Sequence, residues 1–177
     1  DVGTTDLAAL RGGVGTVTQR TEVLAGTLAQ NITLFEDLGD EHVQAVVDEL
    51  GLTDWVAALP DGLHTLLGPG GLTLSAGEEQ LLAFARLLAR DVQVVVLDEA
   101  TARMDPVTEQ RVVRASERLL SGRTGVLVAH RLGTIERADL VAVLQDGRVL
   151  QHGTHAQLSA DDGAFRDLLR AATAGDH

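Results

Sequence analysis

The chain has 177 residues, 45% of them hydrophobic and 23% charged, which suffices for one folded domain with a sizeable core. A net charge of -12 with no basic run argues against a nucleic-acid partner, which would need a cationic stripe to meet the phosphates. The absence of cysteine excludes a disulfide framework and thiolate metal sites.

No apolar run approaches the roughly 20 residues that cross a bilayer. The opening DVGTTDLAAL begins with an acid and has no basic n-region, unlike a signal peptide. Any membrane-spanning part is therefore expected on another segment or subunit. Aromatics are limited to Phe35, Trp55, Phe84 and Phe165, so the core must be aliphatic.

In chain order, Val14 to Thr18 predicts a strand, with Gly12 and Gly13 ahead of it as breakers. Thr27 to Leu34 and Asp40 to Leu50 predict short amphipathic helices, the second capped by Asp40 and stopped at Gly51. A further helical turn surrounds Trp55. The Gly-rich DGLHTLLGPGGLT, with Pro69, predicts a loop.

Ser75 to Arg90 carries the clearest helical pattern. Ser75 and Glu78 form the sequence signature of a capping box, and Leu81, Leu82, Ala85, Leu88 and Ala89 share one face. Val92 to Leu97 predicts a strand buried on both faces. Pro106 to Leu120 predicts a helix opened by proline. Gly125 to Ala129 predicts another strand, followed by a helical turn near Thr134. Leu140 to Leu144 and Arg148 to His152 predict strands around a turn at Asp146-Gly147, and Ala164 to Ala172 predicts a closing helix. The strand–helix–strand alternation of the second half argues for a parallel α/β sheet.

All 14 basic residues are arginine. Without lysine there is no GxxxxGK[ST] loop in the chain, and RGGVGTVT and GPGGLT read as turns. Val94-Val95-Val96-Leu97-Asp98-Glu99 is more specific. A buried strand ending in two carboxylates puts them at the carboxyl edge of a parallel sheet, where such folds bind ligands. Asp98 there can hold Mg²⁺, and Glu99 can orient and deprotonate an attacking water. Taken alone, the pair fits a solvated acidic turn equally well.

The context resolves this. LSAGEEQ, from Leu74 to Gln80, precedes the acidic strand by one helix, and together they resemble the signature motif and Walker B strand of ABC-transporter ATPases. Leu74, Ser75, Ala76, Gly77 and Glu78 would then meet the γ-phosphate of ATP held by an opposite subunit, using the free N–H groups and dipole of a helix start. Gln19 resembles the Q-loop glutamine at the Mg²⁺/water site. Asp105, in EATARMDP, resembles the D-loop aspartate that reaches across the dimer. His130 resembles the switch histidine on the γ-phosphate. The closing HRLGTIERADLVAVLQDGRVLQHGTHAQL is similar to the family's shared final section.

AGTLAQNITLF and TLLGPGGLTLS resemble segments of the exporter branch. Two positions depart from the pattern: Ala76-Gly77-Glu78 replaces the usual GGQ, and Pro69 stands where the second segment keeps an acid. The family's aromatic loop and phosphate-binding loop would fall before residue 1.

The resemblance implies a P-loop NTPase (RecA-like) α/β core from residues 1–20 and 91–177, with a helical subdomain inserted over residues 21–90. It implies ATP and Mg²⁺ as cofactors, a head-to-tail partnership with a second ATPase domain, and transmembrane domains, fused or separate, at the cytoplasmic face of a membrane. The isolated chain would be a poor ATPase. A non-transport ABC ATPase would need a basic surface or a coiled-coil insertion between Arg20 and Thr73, and neither is present. A non-catalytic module offering only its signature face is the remaining alternative.

Overall fold

The computed structural model describes residues 3–18, 21–98, 104–129 and 135–174, which fall into two compact units divided after Val128. In the first unit, helix α1 (Leu7–Gly13) starts at Asp6, whose carboxylate accepts the Ala8 and Ala9 N–H groups. Such a cap satisfies donors that a helix start leaves open, and the helix runs through the two glycines expected to break it. Strand β1 (Val14–Val17) follows directly.

Next come β2 (Gly26–Thr27) and α2 (Leu28–Thr33), where Thr27 and Gln30 form a capping box. Helix α3 (Asp40–Leu50) ends, as predicted, on Gly51 in the left-handed region at φ 67°. Its N-cap is Gly39; Asp40 lies in the first turn, where an acid complements the helix dipole. Helix α4 (Thr53–Ala57) carries Trp55, 4% exposed.

The expected Gly-rich loop is more ordered than its composition suggests. It contains a 3₁₀ turn (Gly62–His64) and strand β3 (Leu66–Leu67), which pairs antiparallel with β2. Helix α5 (Ala76–Ala89) leads into β4 (Val94–Asp98), then α6 (Pro106–Leu120) and β5 (Thr124–Val128).

Strands β1, β4 and β5 form one parallel sheet with β4 in the centre; Val17 pairs with Leu97, and Asp98 with Val128. The core of this unit gathers Leu28, Ile32, Val47, Leu81, Leu82, Phe84, Val95 and Leu119 around α5, all at 1% exposure or less. Burial of this aliphatic surface is the main drive for the fold. Helix α5 is buried nearly all round because α2, α3, α6 and β1 all pack on it.

One expectation is corrected here. Strand β4 buries Val95 and Leu97, but Val94 and Val96 on its other face are only half-buried. All five residues of β5 are exposed.

The segment entering β2 is pinned by Asn31, fully buried. Its Oδ1 accepts the Leu24 N–H at 2.9 Å and Arg86 Nη2 at 3.1 Å, and its Nδ2 donates to the carbonyls of Leu24 and Thr27. Arg86 also donates to the carbonyls of Asn31 and Glu22, so α5 grips the stretch that follows β1.

In the second unit, β6 (Val141–Gln145) and β7 (Arg148–Gly153) form an antiparallel hairpin, so among the described strands the parallel ladders are those of β1, β4 and β5. Asp146 and Gly147, both at positive φ, make the two-residue turn whose twist suits a hairpin. Helix α7 (His155–Ala160), capped by Thr154, and α8 (Ala164–Ala174) pack Leu158 and Phe165 against Val143. No described helix is long and apolar enough to cross a membrane. The helical turn expected near Thr134 lies outside the described residues.

Candidate functional site

The predicted site residues that the structure describes fall at two places in the first unit. Ser75 is the N-cap of α5, exposed, between buried Leu74 and the exposed Ala76. Its backbone is extended, and its Oγ accepts the Glu78 N–H at 3.4 Å. Glu78 folds back: Oε2 accepts both the Ser75 N–H and the Ser75 hydroxyl at 2.8 Å. The capping box read from the sequence is therefore formed, and the carboxylate that replaces the usual amide is the capping partner.

Gly77 is buried and seats this helix start on α6. A Cβ there would overlap the Thr108 methyl and crowd the Met104 sulfur. Thr108 is also one of two residues whose N–H groups are accepted by Asp105 Oδ1, at 3.0 Å, with Val107 at 3.1 Å. Asp105 is thus the N-cap of α6, followed by proline in the first helical position. Through Gly77 and Thr108 the structure brings the starts of α5 and α6 together, placing the Ser75–Glu78 turn and exposed Asp105 on neighbouring helix ends.

Asp98 occupies the second place. It closes β4, half-buried, at the carboxyl edge of the central parallel strand. Gln19, Glu99 and His130 lie outside the described residues. The described strands that lead toward them, β1, β4 and β5, are adjacent and parallel, and end at Val17, Asp98 and Val128.

The electrostatics of the helix-start pair are set by its hydrogen bonds. Burial works to raise the Glu78 carboxyl, but it is outweighed by the Ser75 N–H, the Trp55 indole, the Ser75 hydroxyl and the Arg111 charge, which hold it below the usual range. The Asp105 carboxyl is likewise held low, chiefly by its bonds to Thr108. Both are ionised at neutral pH.

Three contributors escaped sequence reasoning: Trp55, Thr108 and Arg111. Thr108 and Arg111 stand three apart on α6, a spacing that puts them on one face beyond Asp105. Trp55 was expected in a helical turn, but nothing in the sequence ties it to Glu78.

These residues fit the groups the motifs imply. An anion is favoured at the start of a well-packed helix with an exposed hydroxyl N-cap, although here the Glu78 carboxylate engages that hydroxyl. Mg²⁺ is commonly held by one or two carboxylates plus substrate phosphates, a donor set that one strand-end carboxylate such as Asp98 suits.

Comparison with known proteins agrees with the motifs. Residues 1–102 match the family profile described as ABC transporter. An "ATP-dependent lipid A-core flippase" of Burkholderia orbicola is 42% identical over 165 residues, 93% of this chain and 28% of that protein. The "Uncharacterized ABC transporter ATP-binding protein YknV" of Bacillus subtilis is 40% identical over 166 residues, again 93% and 28%. The "ABC-type transporter fsqE" of Aspergillus fumigatus is 36% identical over 172 residues, 96% of this chain and 13% of that protein. The chain thus spans under a third of the length of these relatives.

Proposed function

This chain belongs to the ABC transporter family, and on that premise we propose that it is the ATP-binding, ATP-hydrolysing subunit or domain of an exporter-type transporter and powers transport across a membrane. The observation that carries the reading is the joined pair of helix starts: exposed Ser75 on a buried helix, with Gly77 flush against α6 beside Asp105. Flippase and transporter names among the relatives support the exporter assignment.

In this reading Leu74, Ser75, Ala76, Gly77 and Glu78 form the signature turn, and the Ser75 O–H donates a hydrogen bond to the γ-phosphate of ATP bound by a second ATPase domain. Asp105 reaches across the same interface. Asp98 and Gln19 would hold Mg²⁺, which when bound neutralises phosphate charge. Glu99 orients and deprotonates the attacking water, and His130 contacts the γ-phosphate. Residues 1–20 and 91–177 belong to the RecA-like core and residues 21–90 to the helical subdomain. Closure of the two domains on ATP and reopening after hydrolysis would move transmembrane domains, fused or separate, from the cytoplasmic face.

No lysine is available to grip the β-phosphate, so the chain alone is a poor ATPase. The test is to mix it with an ABC-exporter ATPase domain that carries its own phosphate-binding loop and cannot hydrolyse, and to follow sedimentation as ATP is added. ATP-dependent pairing that Ser75→Arg abolishes is expected. No pairing at saturating ATP, or pairing indifferent to Ser75→Arg, overturns the reading.

A further inference from the structure

The two carboxylate oxygens of Glu78 serve two different elements. Oε2 accepts the Ser75 hydroxyl and N–H, each at 2.8 Å, while Oε1 accepts the indole N–H of Trp55 on α4 at 3.0 Å. Arg111 of α6 adds a favourable charge. The side chain is therefore tied from three directions, and Trp55, 4% exposed, has little room to move away.

This arrangement commits the one proton that Ser75 can donate. A hydroxyl has a single O–H, and a phosphate oxygen is only an acceptor. While the proton points at Glu78, Ser75 can offer a phosphate nothing but lone pairs. A charged acceptor holds such a proton about twice as strongly as a neutral one, and its charge also repels an incoming anion.

We propose that Glu78 is a positioning residue that keeps the Ser75 hydroxyl bonded inward, with Trp55 as the latch on the carboxylate, so that phosphate capture at Ser75 requires the Ser75–Glu78 hydrogen bond to open. This rests on the reading that Ser75 meets ATP held by a partner domain. The signature turn is then a gated donor rather than a standing one, and glutamate at position 78 raises the ATP level needed to close the pair.

The test uses the pairing measurement above with E78Q and W55F. The amide oxygen in E78Q still accepts from Ser75 and preserves the capping box, but the charge is gone and the amide N–H2 faces the Trp55 indole N–H, donor against donor, so the latch is lost as well. E78Q lowers the ATP concentration for half-maximal pairing about tenfold, the shift expected from weakening one charge-assisted bond. W55F, which frees the latch, lowers it about threefold, and the double variant matches E78Q because an uncharged side chain leaves the latch little to hold. The lone indole N–H resonance of the wild-type chain shifts when ATP-loaded partner is added.

A merely structural role predicts something else: a lower denaturation midpoint with the ATP requirement unchanged or raised. That result, with Ser75→Arg still abolishing pairing, overturns the gating proposal and leaves the proposed function standing. Failure of wild type and variants alike to pair removes both.

Discussion

Gly77 and Thr108 meet so closely that a methyl group on the glycine would overlap the one on the threonine. Gly77→Ala therefore forces α5 and α6 apart, despite alanine's better helix propensity, at a cost of about 1–3 kcal/mol for overpacking. Urea denaturation followed by circular dichroism should show the loss. Thr108→Ser, which deletes the methyl but keeps the hydroxyl, should recover most of it in the double variant. Additive losses would mean that the two residues do not constrain one another.

Asn31→Leu tests the tie between α5 and the stretch after β1. The substitution is nearly isosteric, but it leaves the Leu24 N–H and carbonyl, the Thr27 carbonyl and Arg86 Nη2 short of a partner. A loss of about 3 kcal/mol is expected, because buried polar groups without partners cost about 1–3 kcal/mol each and some regain water. The midpoint of urea unfolding should fall with the slope unchanged.

Asp105 has two separable properties, a cap and a charge. Asparagine caps a helix as well as aspartate, while alanine does not. D105A should lower the thermal midpoint, and D105N should leave it near wild type. If the charge acts across the interface as proposed, D105N still weakens ATP-dependent pairing, which sedimentation reads directly.

Acid should weaken the first unit through three carboxylates. Asp48 is held low by the Thr53 hydroxyl and then the Gln44 amide, Asp105 by Thr108, and Glu78 by bonds that outweigh its burial. Each has a depressed pKa in the folded state, so its contribution is complete above the ordinary carboxylate range and disappears as pH falls through the folded-state values. Denaturation midpoints should be flat near neutrality and drop below about pH 4. E78Q should make that drop shallower.

The sequence disclosed the elements whose signals are local. Helix α5 was legible because Ser75 and Glu78 cap it and its apolar positions recur at helical spacing; β4 and α6 followed from a β-branched run and a proline at the first helical position. Strands β2 and β3 were not, since two residues each are too few to show alternation. Helix α1 was hidden because Gly12 and Gly13, which signal a break in sequence, lie inside its last turn. The second face of β4 was misjudged because an unbroken apolar run says nothing about what covers it. At the site, the Ser75–Glu78 pair could be read from spacing, whereas Trp55 reaches Glu78 across 23 positions through tertiary packing that no local pattern encodes.

Strand β5 carries Val126, Leu127 and Val128 at 51%, 37% and 48% exposure, at the rim of the described three-stranded sheet. An edge strand with exposed apolar side chains is a template for stray strand pairing. Handled in isolation at high concentration, the polypeptide should cling to itself and bind hydrophobic dyes, and a single charged residue placed at Val126 should quiet both behaviours while α5 and α6 keep their seating.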